Sequence, residues 1–527
     1  MRWIPVLLLL LIIFSSCKWL KRKHAARDTT ITGKTSFNNL FLDSAAVANF
    51  IERHPEFSDY EDQFLDFYED RNYEYAWFDS SGLSEQAHNF ANLLNSAIGE
   101  LHDSSLYHQD FNDLYMAAAD TVHRKKKSRL ETELFFTGEF FAYTAHVYNG
   151  SDIDAAQLGW FIPRKKVDLS AVLDSALRTN SAGSGEYAPL NPQYKKLAQS
   201  LATYYDLQKK DRWDSIPRPA RPIKKTDSTA VIGMIKKRLS LLGDLTVADS
   251  SFAFDSALVN AARHFQLRMG MAPDGIISAK MVDELNVTPR QRIRQLLINM
   301  ERARWMPPEN DTNFIVVNIP EYKMHVYDQG RQVFDMNVIV GTTANSTVIF
   351  KGNLKFIVFS PYWNVPTDIV QREILPSIKK NSNYIQKSNM EITGYSNGIP
   401  EVRQKPGPSN SLGLVKFLFP NNYNIYFHDT PNHELFSQSS RSFSHGCIRL
   451  GEPKHLAEYL LRTDPAWNSD NIDSAMHQDK EKWVTLDKTI PVFITYFTAW
   501  VDTDGQLNFR KDIYGHDAKM AAKLFAQ

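Results

Sequence analysis

Cys447 lies in "RSFSHGCIRL" (Arg441 to Leu450), two residues after His445 and nineteen after His428. A cysteine that does chemistry reacts as the thiolate. Its thiol titrates near about 8.5, so a neighbouring imidazole is needed to take the proton or hold the charge. His445 is so close in sequence that it shapes the turn. His428 closes the run "NIYFH" and comes from a different element, the usual origin of a catalytic base. Gly446 lets backbone approach a substrate closely, and the amides around Gly446 and Cys447 could form an oxyanion site. Asp429 follows His428 directly, but adjacent strand residues face opposite ways, so its side chain is poorly placed to orient the ring; Tyr426, two residues before, shares the His428 face. Two other uses of the same residues stay open. One is an inert buried thiol. The other is a zinc site from His428, His433, His445 and Cys447, although these lack a fixed-spacing zinc signature and no metal is expected.

The chain has only one other cysteine, Cys17. It ends "MRWIPVLLLLLIIFSSC", with Arg2 as a positive n-region, an apolar run from Ile4 to Phe14, and Ser15 and Ser16 before the cysteine. The run is shorter than the roughly 20 residues that cross a bilayer. It resembles a lipoprotein signal, which implies export to the periplasm and a membrane anchor through lipid on Cys17; plain secretion is the alternative. The exported chain then has no disulfide framework, and Cys447 is a free thiol in an oxidising compartment. The basic run "KWLKRKH" would follow the anchor as a solvated tether. Sixty Lys and Arg against sixty Asp and Glu give no nucleic-acid footprint.

The elements that must position Cys447 follow from periodicity. After a signal segment at 1–17 and a tether at 18–39, residues 40–210 read as mostly helical, with Phe90, Leu93, Leu94 and Ala97 on one face. "FLDFYEDRNYEYAWFD" reads as aromatic packing. "TNSAGSGEYAPLNP" is a loop, and "SIPRPARPIKKTDST" a stiff linker that sets a boundary near 210–228. Residues 228–288 carry three helical stripes: Ile235, Leu239 and Leu242; then Leu258, Ala261, Ala262 and Phe265; then a third begun at Ser278 after Pro273-Asp274-Gly275. A connecting helix at 289–310 starts at Thr288-Pro289. From 311 to 505 the period becomes that of strands, as in "NFIVVNI", "KMHVYDQGRQVFDMNVIVG", "LKFIVFS" and "IPVFITYFTAWV". A lid insertion at about 364–403 mixes helix-compatible residues with polar loop, and 506–527 is a C-terminal tail. The fold class is multidomain α+β.

His428 followed by Ser444-His445-Gly446-Cys447-Ile448-Arg449 resembles the signature of the L,D-transpeptidases, cysteine enzymes that cross-link peptidoglycan. "SPYWNVP", "RQKPGPSNSLGLVKFLFPN" and "IYFHDTP" extend the likeness to the large class of that family. That class has a helical scaffold, a small peptidoglycan-binding domain, which "VNAARHFQLRMGMAPDGIISAKMVDELN" with its Phe265-Gln266 pair resembles, and a lid. The resemblance implies that Cys447 is the nucleophile and His428 the base, oriented by a backbone carbonyl. It implies that Tyr426 shapes the oxyanion site, that Ser444, His445 and Gly446 support it, and that Arg449 holds a substrate carboxylate. Trp363, Asn410 and Gly413 become lid or substrate candidates, Trp363 alternatively being core. "NSTVIF" (Asn345 to Phe350) departs from the family, which often has Thr-Pro there. The implied reaction joins the third residues of neighbouring stem peptides with release of D-alanine, without a cofactor and open to carbapenem-type inhibitors. An L,D-carboxypeptidase or a non-catalytic wall-binding lipoprotein are the alternatives.

Overall fold

The computed structural model describes residues 25–32, 34, 39–79, 82–101, 106, 108–119, 126–164, 166–178, 191–246, 251–307 and 312–525. The signal segment, Cys17 and most of "TNSAGSGEYAPLNP" lie outside them. The chain forms two compact units, Met1–Ala145 with Val167–Ala188, and His146–Lys166 with Pro189–Gln527.

The first unit is helical, with Ser44–Arg53, Glu61–Asp70, Glu85–Leu101, Gln109–Ala119, Lys126–Thr144 and Leu169–Arg178 among its helices. Its core is aromatic: Phe50, Phe57, Phe64, Trp77, Phe90, Phe135, Phe136 and Phe140 are buried. Rings meet edge to face, as Phe50 and Phe135 do at 5.3 Å between centroids, an arrangement that pairs ring edges with ring faces. Glu133 is buried in the Lys126–Thr144 helix, so its carboxylate needs donors. It accepts from the Tyr68 hydroxyl at 2.9 Å and from the Ala76 and Trp77 amides at 2.6 and 3.0 Å.

The second unit begins with the inserted segment 146–166. The helix Pro192–Lys210, which sequence punctuation groups with the first region, packs in this unit against the helix Pro289–Trp305. Three helices follow, Ala230–Leu241, Ser256–Arg268 and Ala279–Leu285, the last two capped by Asp255 and Ser278 on the Leu258 and Met281 amides. Gln266 of the Phe-Gln pair is a brace. Its amide nitrogen donates to Asp274 Oδ1 at 2.8 Å, its oxygen accepts the Gly275 amide at 2.9 Å, and Gly275 turns at φ 74°. The expected linker is docked, not free: Trp213 Nε1 donates to the Val287 carbonyl at 2.9 Å, and Ile216 exchanges two hydrogen bonds with Asn286.

Fifteen strands are described: β1 Trp160–Phe161, β2 Phe314–Asn318, β3 Lys323–Asp328, β4 Arg331–Gly341, β5 Ile349–Phe359, β6 Trp363–Asn364, β7 Met390–Ser396, β8 Ile399–Gln404, β9 Val415–Leu418, β10 Phe427–His428, β11 Ser442–Ser444, β12 Ile448–Leu450, β13 Lys482–Thr495, β14 Ala499–Val501 and β15 Leu507–Phe509. The main sheet runs β1-β5-β13-β2-β3-β4-β12-β10-β9, and β9 also pairs β5, so β5 to β9 close on themselves and leave no open edge along that ring. Inward residues such as Met324, Val326, Val338, Ile357, Phe417 and Ile494 fill it. The C-terminal tail is ordered into this unit, with β15 antiparallel to β14 and the Tyr514 hydroxyl donating to the Gly341 carbonyl at 2.6 Å.

Candidate active site

Two short parallel strands hold the chemistry. β10 pairs β12 with Phe427 opposite Ile448 and His428 opposite Arg449, so the histidine strand and the strand leaving Cys447 are fixed side by side. β9 flanks β10 on its other edge, placing Lys416 opposite His428. The Ile448 amide donates to the Tyr426 carbonyl at 3.2 Å, which ties the residue after the cysteine to the strand that carries the histidine.

The turn before Cys447 is closed by its own side chains. Ser444 is buried; its hydroxyl donates to the Cys447 carbonyl at 2.5 Å and accepts the Gly446 amide at 3.2 Å. Gly446 sits at φ 112°, where a Cβ would be strained. Its carbonyl accepts the Thr347 hydroxyl at 2.8 Å. The Gly446 amide is therefore spent on the turn and is not a free oxyanion donor.

The Cys447 thiol donates to the Asn424 carbonyl at 3.5 Å and is also hydrogen-bonded to Tyr426 through that residue's amide and hydroxyl. Burial pushes the thiol above its ordinary value, outweighing the lowering by Tyr426 and Arg449. Burial and the Cys447 charge likewise hold the Tyr426 phenol protonated well above its usual range. His428 is buried, and its Nδ1 lies 2.5 Å from the Asp429 main-chain oxygen. A carbonyl only accepts, so Nδ1 carries the hydrogen and Nε2 keeps a lone pair. Burial, with Arg449 and Lys416 adding positive charge, pushes the ring down to about 3. The resting pair is thus neutral thiol and neutral imidazole. The Asp429 carboxyl is occupied elsewhere, accepting the Leu414 amide at 2.8 Å.

Arg449 is desolvated, its guanidinium lowered by burial, and its Nε has no hydrogen-bond partner. His445 is engaged elsewhere: its Nε2 pairs with Glu373 at 2.8 Å, both side chains about half exposed. Glu373 belongs to the segment 364–403, expected as a lid, which forms a small sheet and core of its own. There β6, β8 and β7 form a three-stranded sheet, and Val365, Ile369, Val370, Ile374, Met390 and Val402 form a core. A π-helical turn at Val370–Ile374 carries Glu373. Trp363 packs on that core and so serves the structure of this segment. Asn410 is a loop pin, its amide donating to the Pro361 and Lys405 carbonyls at 3.0 and 2.9 Å. Gly413 turns at φ 62° against the Asp429 carboxyl, leaving no room for a Cβ. The zinc set does not converge: His433 faces Asp429 and His445 faces Glu373, and among the described residues no group of three or more His, Cys, Asp or Glu could hold a metal ion.

Asn424, Thr347 and Glu373 escape sequence reasoning. Asn424 acts through a carbonyl, its one sequence signal being an asparagine suited to the positive φ of 55° that it adopts. Thr347 lies within "NSTVIF", the stretch that departs from the family pattern. Glu373 carries no signal in the sequence.

Residues 312–484 match the family described as the L,D-transpeptidase catalytic domain, and residues 62–201 match the family described as a scaffold domain. A Haemophilus influenzae protein assigned to the L,D-transpeptidases is 32% identical over 253 residues, 45% of this chain and 50% of the relative, so the chain spans about half the length of that curated relative. Solved structures that are similar include an L,D-transpeptidase from Mycobacterium smegmatis, at 15% identity, 35% of this chain and 58% of that one, with a TM-score of 0.20. Another is from Stackebrandtia nassauensis, at 15% identity, 52% and 97% coverage, and a TM-score of 0.21.

Proposed function

We propose that this chain, whose residues 312–484 match the family described as the L,D-transpeptidase catalytic domain, is a murein L,D-transpeptidase that joins the third residues of neighbouring stem peptides. The observation that carries the mechanism is the neutral His428 imidazole, with Nδ1 fixed by the Asp429 carbonyl, on the strand beside Cys447.

Cys447 Sγ attacks the carbonyl carbon of the third residue while its proton passes to His428 Nε2. The new C–S bond makes a tetrahedral oxyanion. Tyr426, whose phenol stays protonated, is a donor near that charge. The C–N bond to the terminal D-alanine breaks, and the leaving nitrogen takes the proton back from His428. A side-chain amine of a second stem then attacks the thioester; the C–S bond breaks, and the amine's proton returns through His428 to the sulfur. Arg449 does two things here: its charge adds to burial in holding the resting imidazole unprotonated, and its unpartnered Nε suits a substrate carboxylate. The lid shields the thioester from water, the competing acceptor. Export, the periplasm and a lipid anchor on Cys17 belong to the same proposal; a wild-type protein recovered wholly from the soluble fraction, unchanged by Cys17→Ser, would remove the anchor. The three-helix region at 228–288 is read as the wall-binding module.

The test is intact-mass spectrometry of the full chain with tetrapeptide stems. The expected product is an adduct on Cys447 with loss of one D-alanine, followed by stem dimers. Cys447→Ala abolishes the adduct, and His428→Ala slows it by about 10²–10⁴-fold. His445→Ala costs far less. A carbapenem adducts the same sulfur. Dimers formed from pentapeptide alone would overturn the reading in favour of D,D-chemistry, and tripeptide without dimers would make water the acceptor.

A further inference from the structure

The Gly446 carbonyl is held from outside the cysteine turn. Thr347, buried in the loop between β4 and β5, donates its hydroxyl to that carbonyl at 2.8 Å, and the same hydroxyl oxygen accepts the Gly341 amide at 2.9 Å. An amide only donates and a carbonyl only accepts, so the direction of the hydroxyl hydrogen is fixed. Tyr514 braces this contact. Its hydroxyl donates to the Gly341 carbonyl at 2.6 Å and accepts the Thr347 amide at 3.4 Å, and burial pushes the phenol up to about 12, which keeps it a donor. Tyr514 is anchored in turn: its amide donates to the Tyr496 hydroxyl at 2.9 Å, and that hydroxyl donates to Asp512 at 2.7 Å. Gly341 has no room for a Cβ against the Asn345 carbonyl, so this loop is packed backbone to backbone.

What the two hydroxyls fix is one peptide unit. The Gly446 carbonyl and the Cys447 amide share a plane and, in a trans peptide, point in opposite directions, so a bond that holds the carbonyl also aims the N–H. Gly446, at φ 112°, adopts a conformation that only glycine takes easily and has wide freedom to leave it, so the plane needs an outside hold. Ser444 holds the other side of the turn, donating to the Cys447 carbonyl and taking up the Gly446 amide. Of the two amides in the turn, that leaves the one on Cys447 for an oxyanion. Such a donor acts through its aim: it must be fixed beforehand on the point where the charge forms.

We propose that Thr347 and Tyr514 are positioning residues for acyl transfer, which fix the Gly446–Cys447 peptide so that the Cys447 amide joins Tyr426 as an oxyanion donor. The C-terminal tail, beyond the matched region 312–484, thereby acts on the reacting centre. The proposal deepens the transpeptidase reading and rests on it for the peptide substrate; the positioning itself serves any acyl donor that Cys447 attacks.

The test separates acylation, which passes through an oxyanion, from alkylation, which does not. Full-length protein is assayed with tetrapeptide stems, with p-nitrophenyl acetate, whose acetyl group moves to the Cys447 sulfur as p-nitrophenolate leaves, and with iodoacetamide; Cys447→Ala is the blank. Thr347→Val keeps the shape and loses the hydroxyl. It is expected to lower kcat of acylation by about 10–100-fold with both acyl donors, while KM and the alkylation rate stay within about twofold of wild type. Thr347→Ser, which restores the hydroxyl, is expected to recover acylation to within about threefold of wild type. Tyr514→Phe is expected to show the same split with about a threefold to tenfold loss, and the double variant to be no slower than Thr347→Val alone, because both residues act through one peptide. Tyr514→Phe carries the comparison by itself if Thr347→Val does not fold. Wild-type acylation in the hydroxyl-deleted variants, or alkylation that falls in step with acylation, would overturn the positioning role. Ester acylation that depends on Thr347 in a protein that tetrapeptides never acylate would leave the positioning role standing and remove the transpeptidase reading.

Discussion

At the scale of single residues, what distinguishes this site is the absence of a preformed ion pair. A thiolate–imidazolium couple needs the histidine to hold a proton that the cysteine has lost, yet burial pushes the Cys447 thiol up and pushes His428 down to about 3. On the proposed mechanism the proton then moves during attack. Alkylation of Cys447 by iodoacetamide, followed by peptide mapping from pH 5 to 10, is expected to rise about tenfold per pH unit with no plateau below about pH 8.5, because only the thiolate reacts. A plateau between pH 6 and 7 would show a resting ion pair instead. The pairing of a cysteine with a histidine from another element is legible in the sequence because both residue types are rare and chemically specific. The Asn424 carbonyl and the Tyr426 amide are not, since every residue has those groups and only the chain path selects which ones face a sulfur.

At the scale of elements, the strands that present these residues are two and three residues long, so the loops around them set the geometry. The loop from β8 to β9 shows how. Asn410 fixes it through three hydrogen bonds, and Gly413 turns it against Asp429, whose main-chain oxygen holds His428. Gly413→Ala would force a Cβ into that carboxyl at a positive φ. It is expected to cost about 1–3 kcal/mol of stability and to slow acylation by displacing Asp429, with denaturant melts and the acylation rate as the paired readouts. A variant with wild-type stability and rate would show that the loop gives way freely. The lid contact teaches the reverse lesson. The His445–Glu373 pair is about half exposed and, at about 0–1 kcal/mol, is too weak to hold in place the 364–403 segment, whose own sheet and core already shape it. Periodicity makes helices and strands legible, as with the stripe of Phe90, Leu94 and Ala97, all buried. It is silent on Glu373 meeting His445, a contact across 72 residues.

At the scale of the whole molecule, one deeply buried group in each unit responds to acid, and the two respond in opposite directions. Burial raises the Glu133 carboxyl in the first unit from its ordinary value of 4.5 to about 7. Its folded state therefore binds the extra proton, and the stability this contributes is present below pH 4.5 and lost as pH rises through 7. His428 in the second unit has the lowered value, so its folded state sheds a proton, and stability is lost as pH falls from about 6.5 towards 3. Calorimetric melts of the full chain between pH 4.5 and 7 are expected to show the first unit's transition falling as pH rises, and Glu133→Gln should flatten that slope; an unchanged slope would mean the carboxyl is ionised throughout. Glu133 is not marked in the sequence, because a glutamate within "RLETELFF" reads as an ordinary helix residue until the packing encloses it. The chain path itself is also hidden: it leaves the first unit at 146, returns at 167 and leaves again at 189. For an engineer or for recombination this has a plain meaning. The two units are not cassettes on a string, and a splice at the single break near 189 would carry away β1 and the rest of the inserted segment 146–166 with the wrong half, so a working exchange must take two pieces of gene together.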